Sequence, residues 1–202
     1  MKDYSKEELI SELIKRVKNT PEFLAHLQDT TEGPEEFNEV LNDPISIQDE
    51  ILYFMENEHG VGINEQGAVE FFDLSTFVEK IIGDLPVVVY HYTSDAILDK
   101  IKEEGLIART DRHNLDGNSG QGVYVTTEVS GPVVDGYMNS AVGFLGGNGT
   151  CLSIKTQLAD LQPDLDDEHL SCGRYQYVLP HVPPENILDF SEEQDEDMGP
   201  RA

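Results

Sequence analysis

Val87-Val88-Val89-Tyr90-His91-Tyr92-Thr93 is where this 202-residue chain changes texture. Three consecutive β-branched residues and a tyrosine make a wholly apolar run of the kind a buried strand shows, with Pro86 before it. A polar end, His91 to Thr93, follows at the point where such a strand would leave the core. Everything N-terminal to this run reads as helix-rich, and the segments after it read mainly as strands.

Upstream, Ser5 and Glu8 form a capping box. Leu9, Ile10, Leu13, Ile14 and Val17 then recur on one helical face, so a first helix is expected to about Lys18. Pro21 starts a second helix through Leu27, Pro34 a third through Leu41, and Ile47 to Glu58 a fourth that stops near Gly60. The pattern from Val61 to Asp73 is ambiguous, with Ala68 to Phe72 readable as a short strand. Ser75 to Ile82 is helical again, ending at Gly83. A boundary near Asp84 follows.

Downstream, Ile97, Leu98, Ile101 and Leu106 give a helix closed by Gly105, and Asp111 to Gly120 is a polar loop. Val123 to Thr126 is a strand, Pro132 to Val142 a helix, Gly143 to Gly149 a glycine-rich connection, and Cys151 to Ile154 a strand. Tyr175 to Leu179 is another, and Pro183 to Ile187 turns into a last short one. Gly146-Gly147-Asn148-Gly149 lacks the Lys and Ser/Thr of a phosphate loop and reads as a turn. No internal repeat is visible. Helices gathered first and separated strands afterwards predict an α+β fold: a helical region over 1–84, a second domain over 85–190 and an acidic, disordered tail over 191–202.

Thirteen basic residues against forty acidic ones leave a formal charge of −27. Residues 1–85 carry six basic against twenty acidic, residues 86–190 six against fifteen, and the tail one against five, so the acidity is general. Such a field repels nucleic-acid phosphates and anionic membranes. It fits a solubility or salt-adaptation trait, or a decoy surface imitating nucleic acid. No run approaches the ~18 apolar residues of a membrane helix, and MKDYSKEELI is not a signal peptide, so a cytoplasmic protein is expected. Cys151 and Cys172 have no metal-ligand spacing and are expected to be free thiols, and no metal is expected.

The succession Val89-Tyr90-His91-Tyr92-Thr93, a helix, Glu104-Gly105-Leu106-Ile107, then Gly120-Gln121-Gly122-Val123-Tyr124-Val125-Thr126 resembles the ADP-ribosyltransferase superfamily over about half the chain. In its poly-ADP-ribose polymerase branch a strand ends in His-Gly-Ser or His-Gly-Thr, a helix leads to Gly-Leu, and a loop reaches Gly-x-Gly-x-Tyr-Phe. A second tyrosine follows, and here it falls on Tyr137. Short toxin-like and phage-borne members share the His-Tyr-Thr opening. The resemblance implies a split β-sheet core over 85–190 and NAD as substrate, with a protein acceptor presented by or near the N-terminal helices. It assigns catalytic roles to His91, Tyr124 and Gln176, and NAD contacts to His91, Tyr92, Thr93, Gly122, Tyr124 and Tyr137.

Chemistry supports those residue types. The nicotinamide of NAD is flat and cationic, and a tyrosine face can hold it by stacking and cation–π attraction worth ~0.5–2 kcal/mol. His91 is expected to donate to an adenine-ribose hydroxyl, and Thr93 to add a hydroxyl. Arg109 and Arg112 suit the pyrophosphate.

One position departs from the family. The glutamate that usually binds the ribose 2′-hydroxyl and stabilises the oxocarbenium-like transition state is matched by Gln176, with Glu128, Glu168 or Glu185 as substitutes and Glu128, just past the Tyr124 strand, the first of them. An amide hydrogen-bonds a hydroxyl but brings no charge and no general base. The loss costs ~10²–10³ in rate by analogy with oxyanion-hole deletions. Single transfer to a reactive nucleophile survives that loss better than chain-building. The alternatives are a catalytically silent nucleotide binder and an acidic interaction protein, a nucleic-acid mimic or inhibitor, on the same fold. A 2′-phosphotransferase ranks last, because its RNA substrate requires a basic groove.

Overall fold

The structure, a computed structural model, describes residues 2–72, 74–107, 122–127, 149–163 and 176–190. The chain divides into two compact units, Met1–Val87 and Val88–Ala202.

The first unit opens with α1 (Lys6–Val17), where Ser5 and Glu8 make both bonds of the capping box. Thr20 caps α2 (Pro21–Thr30), with Pro21 in its first turn. Next come α3 (Pro34–Asn42) and α4 (Pro44–His59), the latter capped by Asp43 and stopped at Gly60, whose φ of 62° is a left-handed conformation that favours glycine. β1 (Val61–Ile63) and β2 (Val69–Phe71) then pair antiparallel, and α5 (Thr76–Ile82) is capped by Ser75. Leu9, Leu13, Val17, Phe23, Leu27, Ile51, Met55 and Ile82 are fully buried. Each such side chain contributes about 1.5–3 kcal/mol relative to exposure. Phe54 stands edge-on to Phe23, His59 and Phe77, at centroid distances of 5.5, 4.7 and 6.0 Å.

β3 (Pro86–Ser94) begins in the first unit, where Val87 pairs parallel with Val69, and runs into the second. There the chain continues through α6 (Leu98–Glu104), β4 (Leu106–Ile107), β5 (Val123–Thr126), β6 (Gly149–Gln157), β7 (Gln162–Pro163), β8 (Gln176–Leu179) and β9 (His181–Val182). β3 pairs β5, β5 pairs β8 and β8 pairs β7, all antiparallel, while β6 also pairs β3 and β4 pairs β9 in a separate two-stranded sheet. Helices in the first unit and a mixed sheet make the fold α+β.

The structure corrects the sequence reading in several details. The ambiguous stretch after Gly60 holds a two-stranded hairpin, Val61–Ile63 paired with Val69–Phe71, so the N-terminal region is not helical throughout. The helix expected to start at Ile97 opens as a 3-10 turn over Asp95–Ile97, and Leu106 belongs to β4. The strand expected at Pro183 to Ile187 is a 3-10 turn over Pro184–Asn186, and Ile187 makes only an isolated bridge to Ile154. Two successive prolines lack the N–H groups that a ladder requires. Two-residue strands such as β4, β7 and β9 are too short to leave a periodic signal. The expected helix 132–142, loop 111–120, most of the 143–149 connection, Cys172 and the tail lie outside the described residues. No helix among the described residues is long and apolar enough to cross a membrane.

Candidate functional site

Alternation sets the two faces of the sheet. On β5, Val123 and Val125 are buried while Tyr124 and Thr126 are half-buried. The register with β8 is complete: Val123 faces Leu179, Tyr124 faces Val178, Val125 faces Tyr177 and Thr126 faces Gln176. Leu179 and Tyr177 are buried with the two valines. Tyr124 therefore sits on the less buried face, and Gln176 takes a register position of the same parity, two pairs along.

Neighbouring β3 brings His91 to β5. The strands are registered at Tyr90 and Thr126. Counted from that pair, Tyr92 has the parity of Tyr124 and His91 the opposite one. His91 meets β5 through its ring: Nδ1 lies 2.8 Å from the Tyr124 carbonyl oxygen. The two residues are joined at the Tyr124 backbone, not ring to ring.

This bond settles the tautomer. A carbonyl only accepts, so Nδ1 carries the proton and donates it. Burial pushes the His91 imidazole below its ordinary pKa, and the bond to Tyr124 offsets part of that shift. A neutral ring protonated on Nδ1 leaves Nε2 as a lone-pair acceptor. The expected polarity is thereby reversed: a ribose hydroxyl would donate to His91, not accept from it.

The other expected residues sort differently. Tyr92 is half-buried and hydrogen-bonds the thiol of Cys151 on β6. Burial pushes that thiol up, Tyr92 opposes the shift and the Asp189 charge adds to it, so the thiol stays protonated at neutral pH and is a poor nucleophile. Thr93 is buried at 4% exposure, which gives its side chain a packing role. Gly122 has a structural reason to be glycine: a Cβ there would overlap Val178 Cγ1 and come within 3.1 Å of the Leu179 carbonyl oxygen. Arg109, Arg112, Glu128, Glu168 and Tyr137 lie outside the described residues.

Sequence reasoning missed the contribution of β6. The sequence marks Cys151 only as a free thiol and gives no signal for Thr150, whose hydroxyl donates to Asp95. Nothing in the local pattern announces that β6 pairs with β3, because that pairing joins segments more than fifty residues apart.

The chain matches no protein-family model and no curated protein sequence.

Proposed function

We propose that the protein is a mono-ADP-ribosyltransferase-like enzyme that cleaves NAD and transfers ADP-ribose to a macromolecular acceptor, with a protein the favoured class. The observation that carries this reading is the adjacency of three strands. His91 on β3, Tyr124 on β5 and Gln176 on β8 are separated by long stretches of sequence, yet β3–β5–β8 are consecutive neighbours and His91 is bonded to the Tyr124 backbone. Tyr124 and Gln176 hold register positions on one face of the sheet, and His91, of the opposite parity, meets Tyr124 through its backbone carbonyl.

In this reading the half-buried Tyr124 ring stacks on nicotinamide. His91 Nε2 accepts from an adenine-ribose hydroxyl and orients the dinucleotide. The bond between C1′ and the nicotinamide nitrogen breaks, and nicotinamide leaves neutral with the bonding pair. A lone pair of the acceptor then forms the new bond to C1′, and the acceptor's proton passes to solvent. Gln176 supplies a hydrogen bond to the ribose and no charge, which suits one slow transfer better than polymer growth.

A second reading has its own support. The uncharged Gln176 and the −27 surface fit a silent nucleotide-binding or acidic interaction protein. One experiment separates the two: the full-length protein is incubated with NAD, with and without cell lysate, and free nicotinamide is followed for the wild type, Tyr124→Ala and His91→Ala. Lysate-dependent release lost in both variants supports the transferase. Absence of release with calorimetric NAD binding favours the silent pocket, and absence of both removes NAD from the account.

A further inference from the structure

We propose that the aromatic nest around Phe54 is an acid-triggered latch: protonation of His59 frees Phe77 of α5 from α4, while α2 stays bonded to α4 through His26 and Glu50. The device lies within the first unit and stands whether or not NAD is turned over.

Two histidines meet Phe54. The His26 ring, on α2, is 4.9 Å from it and the His59 ring, at the end of α4, is 4.7 Å from it. His59 also meets Phe77, 4.5 Å away and inclined at 34°. Phe77 is half-buried near the start of α5, whose buried residues are Val78, Ile81 and Ile82. The other end of α5 is held by α1, where the Arg16 guanidinium donates to the Ile81 carbonyl at 2.9 Å and pairs with Asp84. Freeing Phe77 therefore gives up the packing of one ring and leaves the rest of α5 in place.

The two histidines answer acid in opposite senses. His26 Nε2 lies 3.0 Å from Glu50 Oε1. A carboxylate only accepts, so Nε2 is the donor; a second proton, on Nδ1, leaves that bond intact and adds charge attraction to it. His59 has no such anchor: among the described residues none hydrogen-bonds either ring nitrogen. It is half-buried beside two phenyl rings, where a cation loses part of its water. The charged groups that face it are Glu58 on its own helix and Glu22 and His26 on α2, while Phe77 of α5 and the residues of β1 bring none. Burial disfavours the imidazolium and His26 adds to that, and together they outweigh the two carboxylates. A proton that binds the freed ring more tightly than the nested one drives the nest open as pH falls. Opening begins below the ordinary histidine value of about 6.5, grows by up to about tenfold for each unit by which the two values differ, and levels off once pH lies below the nested value.

The chain has no tryptophan, so Phe77→Trp in the full-length protein gives a single fluorescent reporter at the latch. Its acrylamide quenching constant is expected to rise at least about threefold from pH 7 to pH 5, with far-UV circular dichroism unchanged, and to stay level when His59→Phe is added. Hydrogen exchange on the wild type, corrected for the chemical rate at each pH, is expected to show protection reduced over 76–80 and kept over 23–30. That measurement decides by itself if Phe77→Trp does not fold at pH 7. A constant that does not rise, one that rises equally with His59→Phe, helix lost along with the rise, or protection lost equally over α2 overturns the proposal. A constant that falls in acid overturns it as well, since the imidazolium is then held on the Phe77 face by cation–π attraction.

Discussion

At Gly122 a hydrogen in place of a methyl group decides whether two strands can meet. Adding the methyl drives it into Val178, so Gly122→Ala is expected to destabilise the second unit by about 1–3 kcal/mol, the usual cost of overpacking. Val178→Ala on top of it makes room and is expected to recover most of that loss. Urea denaturation of the two single variants and the double one measures the coupling, and additive effects would show that the collision is relieved elsewhere. Gln176 is the residue on which rate depends in the transferase reading. Gln176→Glu restores a carboxylate and is expected to raise nicotinamide release by about tenfold or more. A rate unchanged or lowered by that substitution would mean that charge at this position does not limit turnover.

Between helices, the aromatic nest of the first unit holds a titratable ring, His59, that contributes to the response to pH. His59 lies 4.5 Å from Phe77 and 4.7 Å from Phe54, ring centroid to centroid. Burial lowers its pKa, Glu58 and Glu22 oppose that, and nearby His26 reinforces it. A lowered folded-state value means that the unfolded chain protonates first. The stability His59 confers is therefore complete above its ordinary pKa near 6.5 and is lost as pH falls through the folded-state value. His59→Phe keeps the ring and removes the titration, so its urea midpoint is expected to fall less between pH 7 and pH 5 than that of the wild type. Parallel falls in the two proteins would assign the acid sensitivity elsewhere. Phe54 is the centre of the same nest, and Phe54→Ala is expected to cost about 3–5 kcal/mol, read from the same titrations at pH 7.

For the molecule as a whole, a formal charge of −27 is a self-repulsion that compaction must overcome. Raising NaCl from 10 mM to 0.15 M shortens the screening length from about 30 to about 8 Å. The thermal midpoint is expected to rise with salt over that range, measured by circular dichroism. A flat or falling midpoint would indicate that ion pairs such as those of Arg16 with Glu12 and Asp84 outweigh the repulsion.

The amino-acid order alone carried the local features. The capping box at Ser5 and Glu8, the prolines opening α2 and α3, the glycine stop at Gly60 and the strands at Val87 to Tyr90 and Val123 to Thr126 each depend on residues a few positions apart. So does the α+β order of helices before strands. Tertiary structure decided what depends on distant partners: the short strands β4, β7 and β9, whose two residues exist as strands only through pairing, and the place of β6 beside β3. It also decided the proton on His91. The sequence places a histidine at a strand end, but only the Tyr124 carbonyl 2.8 Å away, thirty-three residues on, makes Nδ1 the donor and Nε2 the acceptor. Periodicity reports which side of an element meets the core, because that is a property of neighbours in the chain. Register, burial and tautomer are properties of neighbours in space.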